Sequence, residues 1–165
     1  MFFMDSSMRR SANSDGFTLI ELLVVVMTVA LLIAIAIPTF LGFRGSAQDK
    51  AAQASLVQAD KTAFLVFLEE ASIPKKPNLT PLLSSLEPST TWVDFNVSST
   101  GPGVISVQGP NNANDDQELL MTALSDTGTC YFIRAIVGAT TERGFEKSAA
   151  SCKANDHKNS PDTGW

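Results

Sequence analysis

The sequence predicts an α+β chain in which one long N-terminal α-helix packs on an antiparallel β-sheet of about four strands. Three observations point there. A charge-free apolar run near the N-terminus leads into a stretch rich in Ala, Gln, Lys and Leu, with neither Pro nor Gly from residue 46 to 71, and such a composition favours helix. A proline-rich break follows at residues 73–88. Beyond it, short segments of strand composition alternate with Gly- and Asp-containing turns, so helix and sheet are segregated along the chain.

Residues 22–37 carry no charge, and only Thr28 interrupts their apolar character. Extending the run to residue 43 adds Pro38, Thr39 and Gly42, and the first charge is Arg44. As a helix, residues 17–43 reach about 40 Å at ~1.5 Å per residue, more than the roughly 30 Å of a bilayer's hydrocarbon core. The segment can therefore span a membrane, and Arg9 and Arg10 before it favour a cytoplasmic N-terminus. Two ordinary readings compete here. One is a secretory signal with its apolar core at residues 22–33 and a small-x-small cleavage site at Ala34-Ile35-Ala36; the other is a plain signal anchor. Neither accounts for Glu21, an acid set inside the start of the apolar run. An acidic residue at a helix centre costs about 2.5–3.5 kcal/mol on insertion, and less near the end, so it is usually retained for a partner.

The ten residues Gly16-Phe17-Thr18-Leu19-Ile20-Glu21-Leu22-Leu23-Val24-Val25 resemble the processing motif of type IV prepilins and the related pseudopilins. The resemblance implies that a prepilin peptidase cuts between Gly16 and Phe17, that Phe17 becomes N-methylated, and that Glu21 is kept through assembly. It implies a structural pilus subunit, a homopolymer of itself, held in the bacterial cell membrane and then drawn into an extracellular fibre by an assembly platform and its ATPases. Adhesion, twitching motility and DNA uptake all reuse such fibres. In the family account, Glu21 of an incoming subunit meets the Phe17 amine of a neighbour; low dielectric strengthens attraction between charges stranded beside hydrocarbon. Asp15 stands where many leaders carry a basic residue, a departure that bears on processing efficiency rather than on the position of the cut. A minor pilin, a type II secretion pseudopilin, and an exported binding protein cleaved after Ala36 are the alternatives.

The expected organisation is a leader at 1–16, a membrane or fibre-core half of the helix at 17–43, an amphipathic half at 44–71, and a globular head at 72–165. Leu56, Ala59, Ala63, Val66 and Phe67 recur at helical spacing, a stripe able to pack on a sheet. Pro38 removes a backbone donor and Gly42 lowers helix propensity, so a kink or melted turn is expected near 38–45. Two helices joined at 42–46 are the alternative. After the proline-rich loop, in which Leu79, Leu82, Leu83 and Leu86 suggest a short helix, residues 91–97 and 104–107 read as a hairpin through Gly101-Pro102-Gly103. Residues 119–124 and 129–137 flank Ser125-Asp126-Thr127-Gly128, a second hairpin turn.

Cys130 and Cys152 are the only cysteines. In a chain with an export-type segment they read as one disulfide rather than two free thiols; in type IV pilins such a bond encloses a C-terminal surface region, here residues 131–151. Asn114, Asp115, Asp116 and Glu118 are oxygen-rich, but they lack EF-hand spacing and read as a solvated acidic turn. The triplets at Asn78 and Asn96 match a glycosylation pattern that recurs by chance. The single histidine, His157, lies in a polar tail and offers no catalytic pairing. No metal, cofactor or catalytic residue is expected, and a net charge of -5 disfavours a general nucleic-acid binder.

Overall fold

The structure is a computed structural model that describes residues 16–74, 79–110, 118–136, 141–157, 160–161 and 163–165. Arg9, Arg10 and Asp15, Asn78, and the oxygen-rich residues Asn114, Asp115 and Asp116 fall outside the described residues. The chain divides into two compact units, Met1–Leu41 and Gly42–Trp165.

The α+β expectation holds. Helix α1 runs Leu19–Glu70, 52 residues with Pro38 inside. Its helical assignment continues through Pro38 and Gly42, so two helices joined at 42–46 are not found and no melted turn interrupts it. A short helix α2, Leu79–Leu86, follows the proline-rich break. Then come β1 (Thr91–Asp94), β2 (Val104–Gln108), β3 (Glu118–Leu124), β4 (Cys130–Ile136) and β5 (Glu142–Glu146), and a single 3-10 turn at Ala154–His157.

In the first unit the helix presents apolar side chains all round. Val29, the least exposed large apolar side chain among the described ones in the stretch, is still 46% exposed. The segment is long and apolar enough to cross a membrane by length and composition. Its two hydroxyls beyond the first turn are satisfied internally: Thr28 Oγ1 donates to the Val25 carbonyl at 2.8 Å and Thr39 Oγ1 to that of Ala36 at 2.9 Å. Such back-bonding lets a polar side chain sit among apolar ones without an unpaired donor.

In the second unit the helical stripe does what its spacing predicts. Ala52, Leu56, Ala59, Ala63 and Val66 are buried, and Phe67 packs partly against them. They meet Ile105, Val107, Leu119, Met121, Ala123, Tyr131 and Ile133 from one face of the sheet. Small Ala residues bring the helix close, and Leu56 fills the centre with no exposed surface.

The sheet has five strands in the order β1-β2-β3-β4-β5 and is mixed, not wholly antiparallel. The hairpin at β3–β4 forms as expected, Leu124 facing Cys130 across Ser125-Asp126-Thr127-Gly128. Gly128 takes φ 83° there, a left-handed conformation that favours glycine. The expected hairpin between β1 and β2 does not form: Thr91 pairs with Val104 in parallel register. The reason lies where β1 ends. Strand β1 stops at Asp94, whose carboxylate accepts the Phe95 N–H at 2.7 Å while its carbonyl accepts the Val97 N–H at 2.8 Å. The chain then turns away, and Gly101-Pro102-Gly103 becomes the entry to β2, with Val104 N–H donating to the Gly101 carbonyl. Strand β5 completes the sheet and is the fifth strand that the sequence did not suggest.

Candidate functional site

Two places gather the sequence-singled residues. The first is the start of α1. Gly16, Phe17 and Thr18 precede the helix in non-helical, exposed backbone, and the Phe17 side chain is 88% exposed. The 16–17 peptide bond therefore lies in irregular, exposed chain. Thr18 N–H and Thr18 Oγ1 both donate to Glu21 Oε2, at 2.9 and 2.8 Å, and the Glu21 N–H returns a bond to Thr18 Oγ1 at 3.3 Å. This is a capping box, Thr at the cap and Glu three residues on, which satisfies amides at the helix start. Thr18 was overlooked, although the Thr-x-x-Glu spacing displays it in the sequence. The box gives Glu21 a role inside its own chain, independent of any neighbour.

The second place is the sheet face opposite the helix. Here Cys130 and Cys152 are joined, their Cα atoms 5.5 Å apart, as the sequence suggested. Residues 152–157 lie across this face, held by hydroxyls and backbone. Cys152 N–H donates to Ser98 Oγ at 2.9 Å, while its carbonyl accepts from Ser99 N–H at 2.8 Å and Thr122 Oγ1 at 3.2 Å. Ala154 N–H donates to Ser106 Oγ at 3.1 Å. Beneath this segment Leu120, Phe132 and Ala154 form a small apolar cluster with Phe95 partly packed on it. The region between the cysteines is not a free surface loop throughout, since it includes most of β4 and all of β5.

His157 corrects the sequence reading. It lies not in a free polar tail but inside this cover, 1% exposed. Its ring stacks on Phe132 with centroids 5.1 Å apart. Nε2 is 3.4 Å from Cys130 Sγ and 4.0 Å from Glu146 Oε2, and Nδ1 is 3.2 Å from Ser160 Oγ. Burial holds its pKa below the ordinary imidazole value, against a weaker upward pull from Glu146 and Asp156. The ring is thus kept neutral at neutral pH. Nothing in the surrounding sequence signals this burial, because it arises from docking of the C-terminal segment.

Glu118, the one described member of the acidic group, is taken by Arg134 Nε at 3.1 Å, and Arg134 Nη1 reaches Glu142 at 2.8 Å. Among the described residues no cluster of three or more metal-ligating side chains occurs. Asn96 is exposed in the turn after β1, but Ser98 of its triplet accepts the Cys152 N–H. Trp165 packs edge-on against Tyr131 with centroids 6.0 Å apart, beneath the Arg143 guanidinium at 5.1 Å. Comparison with protein-family models, with curated proteins and with solved structures finds no match to this chain.

Proposed function

We propose that this chain is a type IV pilin precursor, a structural subunit rather than an enzyme. A prepilin peptidase cuts it between Gly16 and Phe17, Phe17 is N-methylated, and the mature subunit waits in the cell membrane on its apolar helix. An assembly platform and its ATPases then draw it into an extracellular homopolymer, with the apolar halves of many helices as the fibre core. The observation that supports this reading most is the sequence from Gly16 to Val25. Its cut site lies in exposed non-helical chain, and its acid lies three residues into a helix that is otherwise apolar. A carboxylate there is expensive in lipid, and a helix exposing apolar side chains all round needs lipid or other helices to cover it.

The test is the mature N-terminus. Intact mass and Edman sequencing of the exported protein should give a chain beginning at Phe17 and carrying one added methyl. A chain beginning at Ile37 would mean an ordinary signal peptide and would remove the pilin reading altogether.

A further inference from the structure

We infer that His157 is an intrachain general base for closure of the Cys130–Cys152 disulfide, delivered to Cys130 by the same C-terminal segment that delivers Cys152. The geometry that carries this is the convergence of three groups from two parts of the chain. Cys130 opens β4 and is fully buried. The segment carrying Cys152 and His157 docks through Ser98, Ser99, Ser106 and Thr122, bonds that need no disulfide to form. Once docked, it places His157 Nε2 3.4 Å from Cys130 Sγ.

The chemistry requires such a base. A thiol buried in apolar surroundings is held protonated, and only the thiolate exchanges with a disulfide. In the reduced chain an external disulfide, such as oxidised glutathione, first forms a mixed disulfide on Cys152. As the segment docks, the Cys130 S–H proton passes to His157 Nε2. The thiolate pair then forms the bond to Cys152 Sγ, and the bond from Cys152 to the external sulfur breaks. The external thiolate leaves with that electron pair and takes up a proton. Two protein thiols are oxidised and one external disulfide is reduced to two thiols.

The groups around the ring suit this role. Ser160 Oγ can either donate to Nδ1 or accept from it, so it supports both tautomers and the imidazolium. Glu146 across β5 and Asp156 beside it favour the charged ring, as burial opposes it. The Arg134 guanidinium is turned to the His157 carbonyl at 3.5 Å and to Glu118 and Glu142, so its charge is compensated.

The experiment uses the full chain, reduced in detergent micelles and reoxidised with oxidised glutathione, with acid-quenched samples resolved by mass spectrometry. The intramolecular step, mixed disulfide to closed disulfide, is timed from pH 6 to pH 10. His157→Gln should slow it about tenfold or more at pH 7, and the difference should vanish near pH 10, where the thiol ionises unaided. Equal rates at pH 7, or the same slowing at every pH, would overturn the inference, the second outcome marking a purely structural role. A second measurement needs no variant and covers the case in which His157→Gln does not fold. In the wild-type chain the closure rate should be flat from about pH 7 to pH 8, above the ordinary imidazole value of about 6.5, because a neutral ring already takes the proton there. A rate that instead rises about tenfold per pH unit across that range, as ionisation of the thiol by solvent alone would give, would equally overturn it.

Discussion

Glu21→Gln and Glu21→Ala together separate what this carboxylate does in its own chain from what it would do between subunits. Within the chain, Glu21 Oε2 accepts two bonds from Thr18, at 2.9 and 2.8 Å. Glutamine serves equally in a capping box, so Glu21→Gln keeps the helix start, whereas Glu21→Ala loses about 1 kcal/mol of it. Between subunits, the proposed contact with a neighbour's Phe17 ammonium depends on charge. Removing one side of a buried pair costs about 3–5 kcal/mol, a hundredfold or more in each addition equilibrium at ~1.4 kcal/mol per tenfold. In the bilayer, either change relieves a desolvation cost of up to about 3 kcal/mol, so insertion is not impaired. Both variants are therefore expected to insert and to be processed, and both to fail in assembly. The measurement is the ratio of sheared surface fibre to membrane-held mature subunit, in a strain that makes no wild-type subunit. Normal fibre from Glu21→Gln with none from Glu21→Ala would assign the requirement to the capping box and refute the ion-pair reasoning. Normal fibre from both would remove Glu21 from the assembly contact.

Three further outcomes follow from the head. Gly144→Ala should destabilise it by about 1–3 kcal/mol, read by thermal melting, because a Cβ there would stand 2.2 Å from Phe132 Cζ in a buried ring. Stability should fall as pH drops below about 6.5, the unfolded imidazole value. The His157 pKa is depressed by burial in the fold, so the unfolded chain binds the proton first and stability is full only above that pH. Denaturant titrations from pH 7 to pH 5 should show this slope, and His157→Gln should lack it. Reducing the disulfide, which encloses 21 residues, should cost about 3 kcal/mol on the chain-entropy account and lower the Tm by roughly 10 °C.

Much of the fold was legible because its signals are local. The stripe from Leu56 to Val66 repeats at helical spacing, and each member is buried. The β3–β4 turn has the composition a tight hairpin demands. The parallel β1–β2 pair was not legible, since it depends on where β1 stops and on the chain beyond it, where the Phe95 N–H bonds the Asp94 carboxylate, Ser98 Oγ accepts the Cys152 N–H and the Ser99 N–H donates to the Cys152 carbonyl. Strand β5 was missed because Glu142-Arg143-Gly144-Phe145-Glu146 shows no apolar alternation. Its glycine faces Phe132, whose ring occupies the space a side chain would fill. At the helix start the Thr18–Glu21 spacing is visible in the sequence, but the cost of an acid in lipid and its proposed pairing with a neighbour's amine draw attention away from the cap that it makes within its own chain. His157 was illegible, because its polar neighbours in sequence are not its neighbours in the fold.

The two faces of the sheet are held by different physics, and the position of the disulfide follows from that difference. The helix-facing side is a broad apolar layer from Trp92 to Ile133 against Leu56 and its neighbours, where burial at about 25 cal/mol per Å² supplies the attraction. The opposite side has a far smaller apolar cluster among the described residues, Leu120, Phe132 and Ala154, and much of its contact is polar, through Ser98, Ser99, Ser106 and Thr122. Exchanging water for such hydrogen bonds yields only about 1 kcal/mol each. The segment they hold contains one short 3-10 turn and has little local structure of its own. A covalent tie at Cys152 raises the effective concentration of that segment on the face where burial contributes least. The same tie on the helix side would add constraint where packing already suffices. Cys130 lies on the thinly covered side because it faces Leu124 and continues the row of Phe132 and Arg134, the alternation of one strand having put its sulfur where the fold needs a bond.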